Sequence, residues 1–156
     1  KDATFSQPSS LALHGGKLYV ADPEASAIRE IDLAEKRVRT LVGTGLFDFG
    51  DRDGSLARAQ LQHALGVAFW KDRKLLIADT YNHKLKLLDL ESGELSTLLG
   101  DGKPGSALRE TEVRFNEPGG LALAGDRVLI ADTNNGRILA FDPGSGVTEE
   151  WIPAEK

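Results

Sequence analysis

The apolar residues of this chain come in runs of four to seven, rich in Leu, Val and Ile and bounded by Gly, Pro, Asn and Asp, which is the pattern of strands and not of helices. The runs recur in one order three times. The clearest copy is LLIADTYNHKLKLLDL at Leu75–Leu90; its counterparts are LYVADPEASAIREIDL at Leu18–Leu33 and LIADTNNGRILAFDP at Leu129–Pro143. Each copy has an apolar run ending in Ala-Asp, about five small or polar residues, and a second run ending in Asp. The pairs Asp22 and Asp32, Asp79 and Asp89, and Asp132 and Asp142 are all ten residues apart, whereas the first Asp of successive copies is separated by 57 and then 53 residues. Fixed spacing within a unit and variable spacing between units marks a structural repeat with loop insertions.

Extended upstream, the units begin FSQPSSLAL at Phe5, LQHALGVAF at Leu61 and FNEPGGLAL at Phe115, so that each reads as four short strands. The first strand is LAL, GVAF or GLAL; the second KLYVA, KLLIA or RVLIA; the third AIREIDL, KLKLLDL or RILAF; the fourth VRTLV, LSTLL or VTEEWI. The second strand is apolar almost throughout, as in a strand covered on both faces. Ile28, Glu30 and Asp32 share one face of a third strand, and Arg29, Ile31 and Leu33 the other. A four-stranded meander cannot hide both its faces alone, so neighbouring repeats must cover it. Asp79 to Asn82 and Asp132 to Asn135 supply Asx-type turn chemistry between the second and third strands. The first unit has Pro23, Glu24, Ala25 and Ser26 there, and its turn is expected to differ. The repeats occupy residues 5–43, 61–100 and 115–152 of one domain. The long connections 44–60 and 101–114 are expected to crowd onto one face, with SLARAQ (55–60) and ALRETE (107–112) each making about one helical turn.

Composition narrows the function. The 156 residues are 40% hydrophobic, enough to build a core, and their net charge of −5 is spread along the chain, which argues against nucleic acid as a partner. The longest apolar run, Ala64–Trp70, is far short of the roughly 20 residues of a membrane-spanning helix. There is no cysteine for a disulfide, thiolate or redox centre, and no compartment is assigned, the cytoplasm being the default expectation. With no methionine and Lys1 at its start, the chain is expected to be a piece of a longer protein.

At Ala78–Leu85 the sequence ADTYNHKL resembles the NHL repeat, with Asn82 and His83 matching its Asn and His before Leu85. FDFGDRDG at Phe47–Gly54, LQHALGV at Leu61–Val67 and FNEPGGLALAGDRVLIADTNN at Phe115–Asn135 look like the last three blades of the propeller in proteins that join a thioredoxin-like domain to NHL repeats. The departures are Pro23–Ala27 in the first repeat and Gly136, where the second repeat has His83. The resemblance implies an all-β fold: three four-stranded antiparallel blades of a six-bladed NHL propeller. Such a half ring would be closed by a homodimer or by the remaining blades of a parent protein.

No residues are assigned to catalysis, to a cofactor or to a metal. The repeated set Asp22, Asp32, Asp79, Asn82, His83, Asp89, Asp132, Asn135 and Asp142 reads as structural, because one Asp at a fixed strand end of every repeat is what a turn motif needs. Asp48, Asp51 and Asp53 with Gly54 suggest a calcium loop, yet with Gly54 at position 6 of an EF-hand, Phe49 and Gln60 fall where carboxylates are required. His14, His63 and His83 occupy three different places in the repeat, so a zinc triad is not expected. Trp70, Lys71, Arg73, Lys84, Lys86 and Arg137 make a candidate basic and aromatic patch. The favoured reading is a non-catalytic scaffold for a protein or peptide partner. Phe47, Asp48, Phe49, Asp51, Arg52, Asp53, Lys103 and Arg109 on the unequal loops are the candidate contact residues. The alternatives are a metal-dependent propeller lyase or hydrolase and an RNA-binding NHL module.

Overall fold

The computed structural model describes residues 3–45, 47–109 and 112–152. Each repeat folds as an antiparallel meander. The first contains β1 (Ser10–His14), β2 (Lys17–Asp22), β3 (Ala27–Asp32) and β4 (Arg37–Val42). A short β5 (Gly54–Ser55) precedes the second, formed by β6 (Gly66–Trp70), β7 (Lys74–Asp79), β8 (Lys84–Asp89) and β9 (Glu94–Leu99). A small hairpin of β10 (Leu108–Arg109) and β11 (Glu112–Val113) leads to β12 (Pro118–Ala124), β13 (Arg127–Asp132), β14 (Arg137–Phe141) and β15 (Thr148–Glu150). β5 pairs with β9 and makes the middle sheet five-stranded, in the order β5-β9-β8-β7-β6.

The three sheets stack face to face, and strand pleating divides the middle one between two cores. Leu75 and Ile77 of β7 join Tyr19, Ala21, Ile28 and Val42 of the first sheet. Leu76 and Leu85 point the other way, to Phe115 and to Ile130 and Leu139 of the third. Leu75, Leu76, Ile77 and Ala78 are accordingly all buried, which is why this run reads as continuously apolar. The first strands β1, β6 and β12 lie side by side. There the backbones approach so closely that a Cβ on Gly66 would stand 2.0 Å from the Gly119 carbonyl oxygen.

The turns between second and third strands differ from expectation in one respect. All three units, the Pro23–Ala25 unit included, make a single 3-10 turn (Pro23–Ala25, Thr80–Asn82, Thr133–Asn135) followed by a left-handed residue, Ser26, His83 or Gly136. The turn is closed by its backbone bond, Ser26 N–H to the Pro23 carbonyl in the first unit, which needs no Asx side chain. Proline fits as the first residue of such a turn. The left-handed residue also reaches the next sheet. Ser26 Oγ accepts the His63 N–H at 3.2 Å, and His83 Nδ1 accepts the Glu117 N–H at 3.1 Å. Thr80 Oγ1 adds a bond to the Pro118 carbonyl at 2.8 Å.

The loops also depart in part from the helical-turn expectation. Ser55–Ala59 makes one turn, with the Ala59 N–H donating to the Ser55 carbonyl at 2.9 Å. In the second loop Leu108–Arg109 pairs with Glu112–Val113 as a hairpin instead, while Glu110 and Thr111 lie outside the described residues. One hairpin carries a correctable strain: Asp72 and Arg73, between β6 and β7, both hold positive φ, at 56° and 58°. Side chains with a Cβ disfavour that region, and Asn-Gly suits it. Replacing Asp72-Arg73 by Asn-Gly is expected to raise unfolding free energy by about 1 kcal/mol, read from the urea midpoint at unchanged slope.

Candidate partner-binding face

The buried carboxylate that ends each second strand organises this end of the molecule. Asp22, Asp79 and Asp132 are fully buried. Their Oδ1 atoms accept the backbone N–H of Ser6, Gln62 and Asn116 at 2.7, 2.8 and 2.7 Å, tying the entry of each repeat to the end of its second strand. Oδ2 is treated differently. Asp79 Oδ2 accepts Asn82 Nδ2 at 2.8 Å and lies 3.8 Å from Lys86 Nζ. Asp132 Oδ2 accepts Asn135 Nδ2 and Arg137 Nε, each at 2.8 Å. Among the described residues Asp22 Oδ2 has only Arg29, at 3.5 Å, and both it and Arg29 Nε are buried without a hydrogen bond there. The second Asp of each repeat stays near the surface and caps a turn: Asp32, Asp89 and Asp142 each accept two backbone N–H groups two and three residues ahead.

The loop 44–60 is fixed from beneath. Asp48 accepts from the Thr44 N–H, Thr44 Oγ1 and Gln60 Nε2 at 3.0, 2.7 and 2.7 Å. The Gly50 carbonyl takes Asn82 Nδ2 at 2.6 Å. Asp51 and Asp53 converge on Lys86 Nζ at 2.7 and 2.8 Å, Asp51 also binds Lys84, and Asp53 Oδ2 takes the Thr97 N–H at 2.8 Å. Lys86 is completely buried, so it does not belong to a surface patch with Trp70 and Lys71, as the sequence suggested. A buried ammonium needs compensating charge, and the two loop aspartates with Asp79 supply it. The sequence pattern groups Asp51 and Asp53 with Asp48 and places Lys86 in a separate set, whereas the fold brings the two aspartates onto the lysine. Two carboxylates on one face of an extended Asp-x-Asp segment, with a lysine between two leucines of β8, were the available signal.

The second loop follows the same plan and meets the first. Asn135 Nδ2 donates to the Gly105 carbonyl at 2.8 Å, and Arg137 donates to the carbonyls of Ser106 and Arg114, each at 3.1 Å. Arg137 is therefore also committed within the fold. A Cβ on Gly102 would lie 3.4 Å from Lys84 Cε and 3.6 Å from Asp51 Oδ2, so the two loops adjoin at that ion pair. The Lys103 N–H is held by Asp101, and exposed Arg109 sits 3.6 Å from Glu112. Arg52 pairs by backbone with Gln60. Among exposed polar residues such as Asp51, Arg52 and Lys103, this anchored surface presents two aromatic rings to solvent: Phe47 is 91% and Phe49 52% exposed. The histidines are dispersed: His14 stacks on Phe69, His63 on Tyr81, and His83 accepts the Glu117 N–H.

The profile of the NHL repeat matches residues 115–141, the unit from Phe115 through β14. The chain carries an NHL repeat. It is 44% identical over 154 residues to NHL repeat-containing protein 2 of Gallus gallus, covering 90% of this chain and 21% of that protein. It is 38% identical over 164 residues to Protein SUPPRESSOR OF QUENCHING 1, chloroplastic, of Arabidopsis thaliana, covering 97% of this chain and 15% of the other. The NHL chain thus spans about a fifth or less of the length of these relatives. Its β-propeller fold is shared with virginiamycin B lyase from Staphylococcus aureus, at a TM-score of 0.62, 13% identity, and coverage of 96% of this chain and 42% of the lyase.

The NHL carboxylates respond differently to pH. Burial pushes Asp79 up to about 6, against the hydrogen bonds from Asn82 and Gln62 and the nearby Lys86. Asp51 and Asp53 are held low: burial would raise them, but hydrogen bonds from Lys84 and Lys86 to Asp51, and from Lys86 and Thr97 to Asp53, outweigh it. Because folding raises the Asp79 pKa, its contribution to stability is complete below pH 3.8 and is lost as pH rises through about 6. The contributions of Asp51 and Asp53 run the other way and disappear as pH falls below the ordinary carboxylate range. Asp79→Asn removes only the first titration. The unfolding free energy of wild type minus that of Asp79→Asn is therefore expected to fall by up to roughly 3 kcal/mol between pH 4 and pH 7 in urea titrations. A pH-independent difference contradicts the assignment.

Proposed function

We propose that this NHL segment is a non-catalytic scaffold that binds a protein or peptide partner on the face where the two inter-repeat loops meet. The observation that carries the reading is the pair Phe47 and Phe49, exposed on a loop whose backbone is held from below by Asp48, Asp51 and Asp53. An aromatic anchor on a rigid base loses little conformational entropy when covered, which is the usual character of a binding hot spot. The buried carboxylates are taken up by backbone N–H groups and cations, which favours a structural role for them over a catalytic one. A selection of displayed peptides against the wild-type chain tests the proposal. Binders are expected to lose about tenfold or more in affinity for a Phe47→Ala/Phe49→Ala variant that unfolds at the same urea concentration. Binders indifferent to both substitutions overturn it.

A second surface favours completion of the propeller by further blades. The outer face of the third sheet exposes Ile138 (39%), Trp151 (41%) and Ile152 (79%) around a depression of about 450 Å³. The outer face of the first exposes Leu11 (61%) and Leu13 (66%). Inside the chain the corresponding faces are covered by the next blade, so both ends carry surface of the kind that associates. Our reading is that these faces are covered by blades of the same type, those of a second copy closing a six-bladed ring or those of a longer protein. The length of the relatives supports a longer parent. A thioredoxin-like domain in that parent rests on the resemblance noted above. For the isolated chain, sedimentation velocity at micromolar concentration is expected to show a dimer that Ile138→Glu converts to monomer. A wild-type monomer rules out closure by a second copy.

A further inference from the structure

Between the first and second sheets, beside the β1–β2 turn, lies a cleft of about 250 Å³. The first repeat contributes Lys17, Tyr19, Glu30 and Arg39 to it and the second Phe69 and Arg73, with His14 stacked on Phe69 at 3.7 Å between ring centroids. Glu30 organises the polar side. It is 4% exposed and accepts Lys17 Nζ at 2.8 Å and Arg39 Nε and Nη2 at 2.9 and 3.0 Å. Burial raises the Glu30 carboxyl, but those hydrogen bonds outweigh it and hold it below its ordinary value. The two cations are thereby fixed at the rim of the cleft.

Three observations distinguish this cleft from ordinary packing between sheets. Tyr19 is 4% exposed and lines the cleft, yet its hydroxyl has no hydrogen bond among the described residues. Burial, and after it the Glu30 charge, raise the Tyr19 phenol against the pull of Lys17, Arg73 and Arg39, so it stays a protonated donor within reach of those three cations. Charge is also unbalanced, because Lys17, Arg39 and Arg73 face a single lining carboxylate, and Arg73 has no carboxylate partner among the described residues. Finally, the polar set is not a requirement of the repeat. Register places Leu76, Leu87 and Ser96 of the second sheet where the first has Tyr19, Glu30 and Arg39. There Leu76 and Leu87 pack with Trp70 in the second core, so stacking of these sheets does not call for charge at that level. Arg73 moreover keeps a positive φ of 58° that a glycine would hold without strain.

We propose that this cleft binds a small phosphate monoester, its phosphoryl group held by Lys17, Arg39 and Arg73 and accepting a hydrogen bond from the Tyr19 hydroxyl. A phosphoryl group brings about two negative charges at neutral pH and three acceptor oxygens, which matches the surplus positive charge and the spare donors. Arg39 gives Nε and Nη2 to Glu30 and keeps Nη1 for the ligand, and Lys17 gives Glu30 only one of its ammonium protons. Guanidinium groups bond phosphate oxygens in pairs, so two of them select it over a monovalent carboxylate. Glu30 is a positioning residue that holds two of the cations. The volume lies below the roughly 300 Å³ at which drug-sized sites begin, so the rest of the ligand is compact and rests against Phe69 and His14. Both walls lie within this chain, and the site depends neither on Phe47 and Phe49 nor on what covers the outer sheets.

Isothermal titration calorimetry of the wild-type chain with monoethyl phosphate, in a buffer free of phosphate and sulfate, provides the test. Saturable binding is expected with a Kd below about 1 mM, while ethanol gives no heat of binding. Propionate is expected to bind about tenfold or more weakly than the phosphate ester. Tyr19→Phe removes only the hydroxyl and is expected to weaken binding about fivefold. Asp72-Arg73→Asn-Gly removes the Arg73 charge while relieving its turn, and is expected to weaken binding about tenfold with a urea midpoint no lower than that of wild type, so the loss is not one of folding. Lys36→Gln takes a positive charge from the β3–β4 turn outside the cleft and is expected to leave the affinity within about twofold. Absence of saturation up to about 10 mM ester, propionate bound as tightly, affinity indifferent to the turn replacement, or an equal loss in Lys36→Gln overturns the proposal.

Discussion

One buried carboxylate per repeat holds this structure in register. A blade is a meander whose first strand arrives from a loop, and nothing in strand pairing alone fixes where that loop enters. Asp22, Asp79 and Asp132 do so, each accepting a backbone N–H from the entering segment at 2.7–2.8 Å. A buried carboxylate bonded to a backbone N–H is costly to misplace, so the entry point is set to within a fraction of an ångström. The cation each carboxylate requires then varies. Arg29 and Lys86 come seven residues after their Asp, Arg137 five after its own, because Leu139 occupies the seventh position and belongs to the core. The constraint is electrostatic and admits more than one source of charge.

Stacking builds on that register. The left-handed residue closing each 3-10 turn points toward the following sheet, where Ser26 and His83 use unlike side chains for the same acceptor task. Gly136 has no side chain for that acceptor task, whereas Thr133 keeps the hydroxyl that Thr80 uses toward the next sheet. The loops are held by the same turns through Asn82 and Asn135. Loop anchoring and blade stacking thus share a few residues, and a rigid loop end is the consequence. A scaffold of this kind presents side chains such as Phe47 in fixed positions without requiring any moving part.

The sequence alone determined the repeat and the strand order, because these follow from short-range regularities. Pleating alternates side chains every residue, turns require particular backbone angles, and a repeated motif must satisfy the same bonds each time. Only the tertiary structure decided what the charged residues do. Lys86 looked like a surface residue until Asp51 and Asp53, 35 and 33 residues away, were brought onto it by the path of a loop. The equivalence of Pro23–Ala25 with the other two turns was likewise hidden, since a backbone bond and not a side chain closes them. Alternation and spacing are properties of a strand, whereas the charge that neutralises a buried lysine depends on where distant segments come to lie, and that is set by how the sheets pack.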